Sequence, residues 1–329
     1  MIESSSTVTH LYAQAILQAA QRQGITLSDD VVREVVPGQR VPLPVQDRLW
    51  DDYCSASDDP LAGLEIGLAL QVGHLDSAGM LLISCDTLRD GLEALMEYAP
   101  VVGDGGEFSL LEEDGRLTLS YGPRYSVRVS QRVEAVMASL IRLTRWATGD
   151  VFQPERLSFA HAPLDRTARY EKRLGVPVEF GAETNRLTIG QDQGALPLIQ
   201  ANGELRDHLR QLADQTMASL GYQSLSRQVI QLVREHPGWG KDRLAAELGV
   251  SGRHLNRLLA NEGFSFKFLR ERELHQMALC RLQAGDTGAQ VSDQLGFSEE
   301  AAFARAFRRW EGVGLSRFRG QHGRGGVAD

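Results

Sequence analysis

Two stretches near the carboxyl end repeat one pattern of small, apolar and turn-forming residues, and this repeat constrains the fold most. In the first stretch, residues 241–259 (KDRLAAELGVSGRHLNRLL), the small residue Ala245 precedes Gly249 by four positions. In the second stretch, residues 288–310, Gly296 corresponds to Gly249 and lies 47 positions after it. Glycine tolerates a positive φ, and a small residue lets two helices approach closely. The sequence therefore predicts two helix-turn-helix units, at about residues 241–260 and 288–310.

The first unit separates an apolar face from a polar one. The residues predicted to face inward are Leu244, Leu248, Val250, Leu255 and Leu258. Ser251 is placed to cap the second helix. The side chains left outward near the start of that helix are Arg253, His254, Asn256 and Arg257. Arginine and asparagine form paired hydrogen bonds with guanine and adenine edges in the major groove, so this helix is predicted to read double-stranded DNA.

The second unit follows the same plan, with Ser298 as the predicted cap of its second helix. Phe303, Phe307 and Trp310 are predicted to face inward. The outward face is predicted to carry Glu299, Glu300, Ala301, Ala304, Arg305 and Arg308. Apolar residues between the units suit one long connecting helix: Phe266, Leu269, Leu274, Ala278 and Leu282. A single unit of this kind also occurs in helical bundles that bind no nucleic acid, whereas two in tandem with outward arginines favour DNA binding.

The charge distribution agrees with a basic module attached to an acidic domain. The chain of 329 residues has a net charge of −8, which by itself argues against a nucleic-acid partner. Residues 221–329, however, hold 16 lysines and arginines against 12 aspartates and glutamates, whereas the first 220 residues hold 19 against 31. Such asymmetry is typical of a binding module on an acidic partner domain.

The first 220 residues mix helical and strand patterns, whereas strand patterns are absent beyond them. Helices are predicted around residues 11–19, 88–99, 129–143, 166–174 and from 205 onward, with short strands at 156–161 and 177–189. Asp114-Gly115 predicts a hairpin turn before a strand with Leu117, Leu119 and Tyr121 on one face. We therefore expect an α+β regulatory domain (1–222), a linker near 219–226, and an all-α DNA-binding domain (223–329) with two helix-turn-helix units joined by a long helix.

Several classes of protein are disfavoured. The start of the chain lacks the pattern of a signal peptide, and no apolar run has the length of a membrane span. The cysteines, Cys54, Cys85 and Cys280, are scattered and odd in number, as expected for a reducing cytoplasm. We find no P-loop, nucleophile elbow, zinc-protease motif or paired cysteine motif, so we expect no enzyme, no cofactor and no metal. An enzyme remains the alternative class, and a gel shift set against a general activity screen separates the two.

The run GFSEEAAFARAFRRWEG, within residues 290–319, resembles the C-terminal signature of AraC/XylS-family transcription regulators. The resemblance extends over about 222–320, and Leu315 replaces a proline that the family often carries. It implies that the second helix of each unit enters a major groove. Carried over to this chain, it implies that the reading residues are Arg253, His254, Asn256, Arg257, Ala301, Ala304 and Arg305. Arg308 shares the outward face of the second unit.

Residues of about 10–215, including PLAGLEIGLALQVGHLDSAG and YEKRLGVPVEFG, resemble the arabinose-binding-type, non-cupin regulatory domain of some AraC-type proteins. The resemblance implies a small organic effector and a homodimer, with RNA polymerase as a further candidate partner of an activator. No residue indicates a sugar, and effector-binding residues are left unassigned. The open alternative is a constitutive DNA-binding protein whose first domain only dimerises.

Overall fold

The structure is a computed structural model that describes residues 6–113, 116–222, 225–261 and 264–322. The chain divides into two compact units, Met1–Leu220 and Gly221–Asp329, which are described separately. The predicted hairpin turn at Asp114 and Gly115 lies outside the described residues. The first unit combines helices with a sheet and the second is helical, as the sequence predicts.

The first unit begins with helices and returns to them after its sheet. Its helices are α1 (His10–Gln23), α2 (Asp29–Glu34), α3 (Leu43–Ala56), α4 (Ala62–Ala69), α5 (Asp76–Ser84), α6 (Leu88–Glu97), α7 (Ala99–Val102), α8 (Val129–Ala147), α9 (Thr167–Leu174) and α10 (Gly203–Ser219). Its strands are β1 (Thr7–Val8), β2 (Val41–Pro42), β3 (Gly106–Glu113), β4 (Arg116–Pro123), β5 (Arg156–Phe159), β6 (Val178–Phe180) and β7 (Asn185–Ile189). Short 3-10 turns occupy Val72–Leu75 and Gln193–Ala195.

Five strands form one sheet in the order β3-β4-β7-β5-β6, while β1 pairs with β2 separately. The pairs are antiparallel except β5 with β6, which run parallel. Leu117, Leu119 and Tyr121 are buried on one face of β4, which confirms the predicted alternation. Leu119 pairs with Leu110 on β3 and with Leu187 on β7, so the apolar side chains continue across neighbouring strands.

Helix α8 lies at the centre of the first unit rather than on its surface. The sequence pattern predicts one apolar face, but twelve of its nineteen residues are buried. Gly63 and Gly67 of α4 bring the α4 backbone against α8, since an added Cβ would lie 2.0 Å from the Gln131 oxygen and 2.2 Å from that of Ala135. Glycines four residues apart share one helix face, so any side chain there would separate the two helices.

The other predicted helices of this unit are present, with local differences. α1 ends at Gly24, whose φ is 67°, and the Thr87 side chain accepts a hydrogen bond from the Asp90 N–H at the start of α6. Ala99 belongs to α7, because α6 ends at Glu97 and Tyr98 lies between the two helices. The helix predicted from residue 205 onward is α10, but Leu205 is exposed and the buried residues are Arg210, Ala213 and Met217.

The second unit is a set of helices packed around α14. Its helices are α11 (Leu225–Glu235), α12 (Lys241–Glu247), α13 (Gly252–Asn261), α14 (Phe266–Gln283), α15 (Gly288–Gln294), α16 (Glu300–Glu311) and α17 (Leu315–His322). The predicted inward residues of the connecting helix, Phe266, Leu269, Leu274, Ala278 and Leu282, are all buried. One apolar core therefore joins the two helix pairs.

Helix α11 begins within the predicted linker, because Leu225 and Ser226 already belong to the helix. Its Arg234 lies 2.8 Å from the buried Glu273 carboxylate of α14. The loop after α11 is also held, because Arg270 donates a hydrogen bond of 2.9 Å to the Pro237 carbonyl. These contacts fix α11 to the connecting helix.

Among the described residues, no single helix is long and apolar enough to cross a membrane. By length and composition alone, Ala62–Ala69 and Val72–Ser84 together would suffice, with a bend of 99° between them.

Candidate nucleic-acid interface and internal cavity

The first predicted unit is the pair α12 and α13, joined by a turn at Gly249 with φ of 69°. Leu244 and Ala245 of α12 are fully buried. Ser251 caps α13, since its hydroxyl oxygen accepts a hydrogen bond of 3.2 Å from the His254 N–H, as predicted. The inward set is Leu244, Leu255 and Leu259, with Leu248 and Val250 half-buried beside them.

One inward residue was predicted wrongly in this unit. Leu258 is only half-buried, whereas Leu259 is completely buried. Leu255 and Leu259 are four residues apart and so face the core together.

The outward face of α13 carries the four residues predicted to read DNA. Arg253, His254, Asn256 and Arg257 are all exposed. Neither arginine forms an ion pair within the described residues, although many other arginines of the chain do. Both guanidinium groups are therefore available to an external acceptor such as a phosphate or a base edge.

The second predicted unit is the pair α15 and α16, joined by a turn at Gly296 with φ of 72°. Thr287 and Gln290 form a capping box at the start of α15. The prediction that Ser298 caps α16 is wrong, because α16 begins at Glu300 and its N-cap, Glu299, makes no side-chain capping bond. The reason is one extra residue between the turn glycine and the second helix, compared with the first unit.

The inward face of α16 is aromatic, as predicted. Phe303 and Phe307 are completely buried, with their ring centroids 5.9 Å apart, and Phe307 also contacts Phe318 edge-on at 5.2 Å. Trp310 is half-buried, 5.4 Å from the His275 ring of α14. The predicted register of this helix is therefore confirmed.

The outward face of α16 carries the predicted reading residues of the second unit. Ala301, Arg305 and Arg308 are exposed, while Ala304 is half-buried. Arg305 and Arg308, like the arginines of α13, form no ion pair with the residues that the structure describes. Each helix pair thus presents two unpaired arginines on the second of its two helices.

Two polar contacts hold α16 against α14, and sequence reasoning missed both. His275 lies 2.6 Å from the Glu311 carboxylate, and Arg309 lies 2.8 Å from that of Glu271. The charges were visible in the sequence, but residues 36 and 38 positions apart give no spacing signal. The same contact gives His275 an acidic partner within this unit. Among the described residues no group of three potential ligands is arranged for a metal ion.

The first unit contains a cavity of about 90 Å³ between its helices and strands β3 and β4. Its polar lining includes Tyr12, Gln46, Tyr125 and Arg132, and apolar residues such as Val136 complete the wall. His74 does not line this cavity. Instead, His74 Nδ1 accepts a hydrogen bond of 3.1 Å from the Gln71 N–H.

Two known families match the chain. The family described as "Arabinose-binding domain of AraC transcription regulator, N-term" matches residues 18–198, which is more than half of the chain. A family described as "Helix-turn-helix domain" matches residues 244–321. The chain belongs to the AraC family of transcription regulators. It is a DNA-binding regulator with an arabinose-binding-type first domain, as the sequence resemblance indicated.

Curated relatives of this AraC-family regulator align along most of its length. It is 26% identical over 314 residues to the ornithine utilization regulator of Pseudomonas aeruginosa, covering 92% of this chain and 93% of that protein. It is 28% identical over 287 residues to the HTH-type transcriptional regulator VirS of Mycobacterium tuberculosis, covering 84% of this chain and 83% of VirS. The crystal structure of the transcriptional regulator CdpR from Pseudomonas aeruginosa has the same fold, with a TM-score of 0.53, 17% identity, and coverage of 94% of this chain and 98% of CdpR.

Proposed function

We propose that α13 and α16 of this AraC-family regulator are its reading helices, each entering a major groove of promoter DNA. The observation that carries the proposal is the pair of exposed, unpaired arginines on each helix: Arg253 and Arg257 on α13, and Arg305 and Arg308 on α16. Residues three or four apart share a helix face, so each pair presents its positive charge in one direction. Arginine suits both phosphate contacts and paired hydrogen bonds with guanine.

The connecting helix supports binding to two neighbouring grooves. α14 has 18 residues, so it is roughly 27 Å long at about 1.5 Å per residue. Successive major grooves on one side of DNA are about 34 Å apart. A helix of this length, packed against both pairs, is of the right order to separate the reading helices by one DNA turn.

The test starts from a DNA site selected from a random library with the full chain. Replacing Asn256 or Arg257 by alanine should weaken binding to that site by about 1–3 kcal/mol, which is roughly 5- to 150-fold. The matched control is Arg281→Ala on the connecting helix α14, because Arg281 belongs to neither reading helix and already lies 3.7 Å from the Asp286 carboxylate. Binding that is unchanged in both α13 variants, with folding intact, removes the assignment of α13.

Salt dependence gives a second readout of the same interface. Neutralising phosphates with arginine releases counterions, so affinity should fall linearly on a log–log plot against salt concentration. Arg308→Ala should reduce the slope of that line by about 1, as expected for the loss of one phosphate contact. A flat response to salt would argue against a surface that follows the phosphate backbone.

We further propose that a small organic effector bound in the first unit controls DNA binding, and that the protein acts as a homodimer without catalytic activity in the cytoplasm. The cavity and the arabinose-binding-type family match support the effector. A dimer would place four helix pairs on repeated half-sites and raise their effective concentration. Native mass spectrometry of the full chain tests both claims, since it reports subunit number and retained ligands. A monomer at micromolar concentration removes the dimer, and DNA binding that ignores cell metabolites removes the effector.

A further inference from the structure

The cavity of the first unit is rich in hydrogen-bond donors and contains no acidic side chain. Its polar lining consists of Tyr12, Gln46, Tyr121, Tyr125, Arg132 and Ser139. Among the residues that the structure describes, Arg132 is the only lining residue that carries a charge near neutral pH, since no aspartate, glutamate, lysine or histidine of that part contributes to the wall. A ligand in this cavity therefore contacts one guanidinium group and no carboxylate, although Asp47 pairs with that guanidinium from outside the lining.

Arg132 is fixed in position but retains donors. It is 2% exposed, and its guanidinium carbon lies 3.6 Å from the centre of the Tyr125 ring. One terminal nitrogen pairs with the Asp47 carboxylate, and the other donates a hydrogen bond of 2.8 Å to Gln46 Oε1. A guanidinium has five N–H groups. The Nε–H and one terminal N–H of Arg132 have no partner among the described residues.

The surrounding polar groups are also oriented as donors. Gln46 uses its carbonyl oxygen to accept from Arg132, which leaves its amide N–H groups for another acceptor. The Tyr12 hydroxyl forms no hydrogen bond within the described residues, and burial raises the pKa of Tyr12. Burial also raises the pKa of Tyr125, so both phenols stay protonated and able to donate. A ligand oxygen in the cavity would accept hydrogen bonds from these groups, and such bonds would offset the loss of water from them.

The cavity is small and mostly apolar away from these donors. Its volume of about 90 Å³ equals the space of roughly six to nine waters, at about 10–15 Å³ each. Val8, Leu95, Phe108 and Leu140 line the remaining wall. The shape therefore fits a molecule with one polar end and a short apolar body.

We propose that this cavity binds a small monocarboxylate with a short aliphatic or aromatic body, its carboxylate accepting from Arg132 and the neighbouring phenols. The inference rests on the proposed effector function and gives that effector a chemical class. A carboxylate is matched by the guanidinium, whereas an ammonium group would be buried without a counter-charge. Basic amino acids and diamines are therefore excluded as ligands of this chain, even though one relative is named for ornithine utilisation.

The experiment measures binding of matched probes to the full chain by calorimetry. The probes are the straight and branched carboxylates from propanoate to octanoate, together with benzoate, each with its carboxamide and its amine analogue. At least one carboxylate should bind on the order of tenfold or more tighter than its carboxamide, and the amine should not bind. A series in which no carboxylate binds, or in which amide or amine binds equally well, overturns the proposal.

Two variants locate the binding site. Val136→Phe fills the cavity from α8 and should abolish carboxylate binding, whereas Val32→Phe, at an exposed position outside the cavity, should not. Tyr12→Phe removes a single hydroxyl and should weaken binding severalfold while preserving the melting temperature. If Val136→Phe does not fold, Ala99→Leu replaces it as the filling variant. Undiminished binding in a folded filling variant places the ligand elsewhere and overturns the proposal.

The DNA assay separates this inference from the function on which it rests. The same protein preparations are tested on the selected DNA site, where no cavity variant should change binding in the absence of ligand. If DNA binding depends on Arg257 but no carboxylate binds, the proposed DNA reading stands and the ligand class is wrong. If carboxylates bind but DNA binding is independent of Arg257, the ligand class stands and the reading helices are wrong.

Discussion

Replacement of Glu134 by glutamine should change how the stability of the first unit depends on pH. Glu134 lies on α8 and is completely buried. The Tyr170 hydroxyl donates a hydrogen bond of 2.5 Å to Glu134 Oε1, and His161 Nε2 lies 3.8 Å from the same oxygen. Within the part of the chain that the structure describes, Glu134 Oε2 and His161 Nε2 have no hydrogen-bond partner. The pKa of Glu134 is raised from 4.5 to about 8, mainly by burial and to a smaller extent by the nearby Asp59, while the Tyr170 hydrogen bond opposes this rise.

The direction of the effect follows from where the proton is held. Between about pH 4.5 and 8, folded Glu134 keeps its proton while the unfolded chain releases it, so stability falls as pH rises through this window. The slope is at most about 1.4 kcal/mol per pH unit, which gives up to about 5 kcal/mol over the whole window. Burial lowers the pKa of His161, so acidification below its ordinary pKa of 6.5 opposes this trend in the wild-type chain. His161 is present in both proteins, so its contribution cancels when the stability of Glu134→Gln is compared with that of the wild type at each pH.

Glutamine mimics the protonated acid, because it keeps the acceptor for Tyr170 and replaces the carboxyl O–H by an amide N–H. Near pH 5, Glu134→Gln and wild type should have similar melting temperatures. Near pH 8.5, the variant should melt higher by on the order of 10 °C, at about 2–4 °C per kcal/mol for a unit of this size. Scanning calorimetry of the full chain measures this, with the exposed Glu183→Gln as control. Parallel pH profiles for Glu134→Gln and wild type would refute the buried-acid argument.

Two further predictions concern the second unit. Phe307→Ala removes a completely buried ring and should destabilise the domain by roughly 3–5 kcal/mol; an intact melting temperature with loss of DNA binding would mean that this residue faces DNA instead. Gly249→Ala and Gly296→Ala both place alanine at a positive φ and should each cost about 1–2 kcal/mol. Gly296→Ala should cost about 1–3 kcal/mol more, because its Cβ would lie 2.3 Å from the Gly238 Cα, whereas the space beside Gly249 is open. Equal melting temperatures for the two glycine variants would contradict the packing of the second turn against the loop after α11.

The helix pairs were predictable because their signals are local. A turn glycine, a small residue four positions earlier and apolar residues at helical spacing are all read within about twenty residues. The burial of Phe303 and Phe307 follows from the same periodicity. Two errors arose where periodicity does not decide: the choice between Leu258 and Leu259, and the start of α16 one residue later than the repeat implied. In both cases the packing of a helix against distant residues sets the result.

The polar interior of the first unit was not predictable, because it depends on what surrounds α8. The sequence pattern of this helix gives one apolar face, and that reading leaves Arg132 and Glu134 on a solvated side. In the folded unit α4, the sheet and the other helices enclose α8, so both residues are buried and need internal partners. Two residues that are two positions apart are separated by a rotation of about 200° around the helix axis, so they lie on nearly opposite faces. Arg132 therefore reaches the cavity with Gln46, while Glu134 reaches Tyr170 on the opposite side. The two charged residues of this buried helix therefore lie at two separate polar sites. The spacing of apolar residues in the sequence does not predict the position of either site.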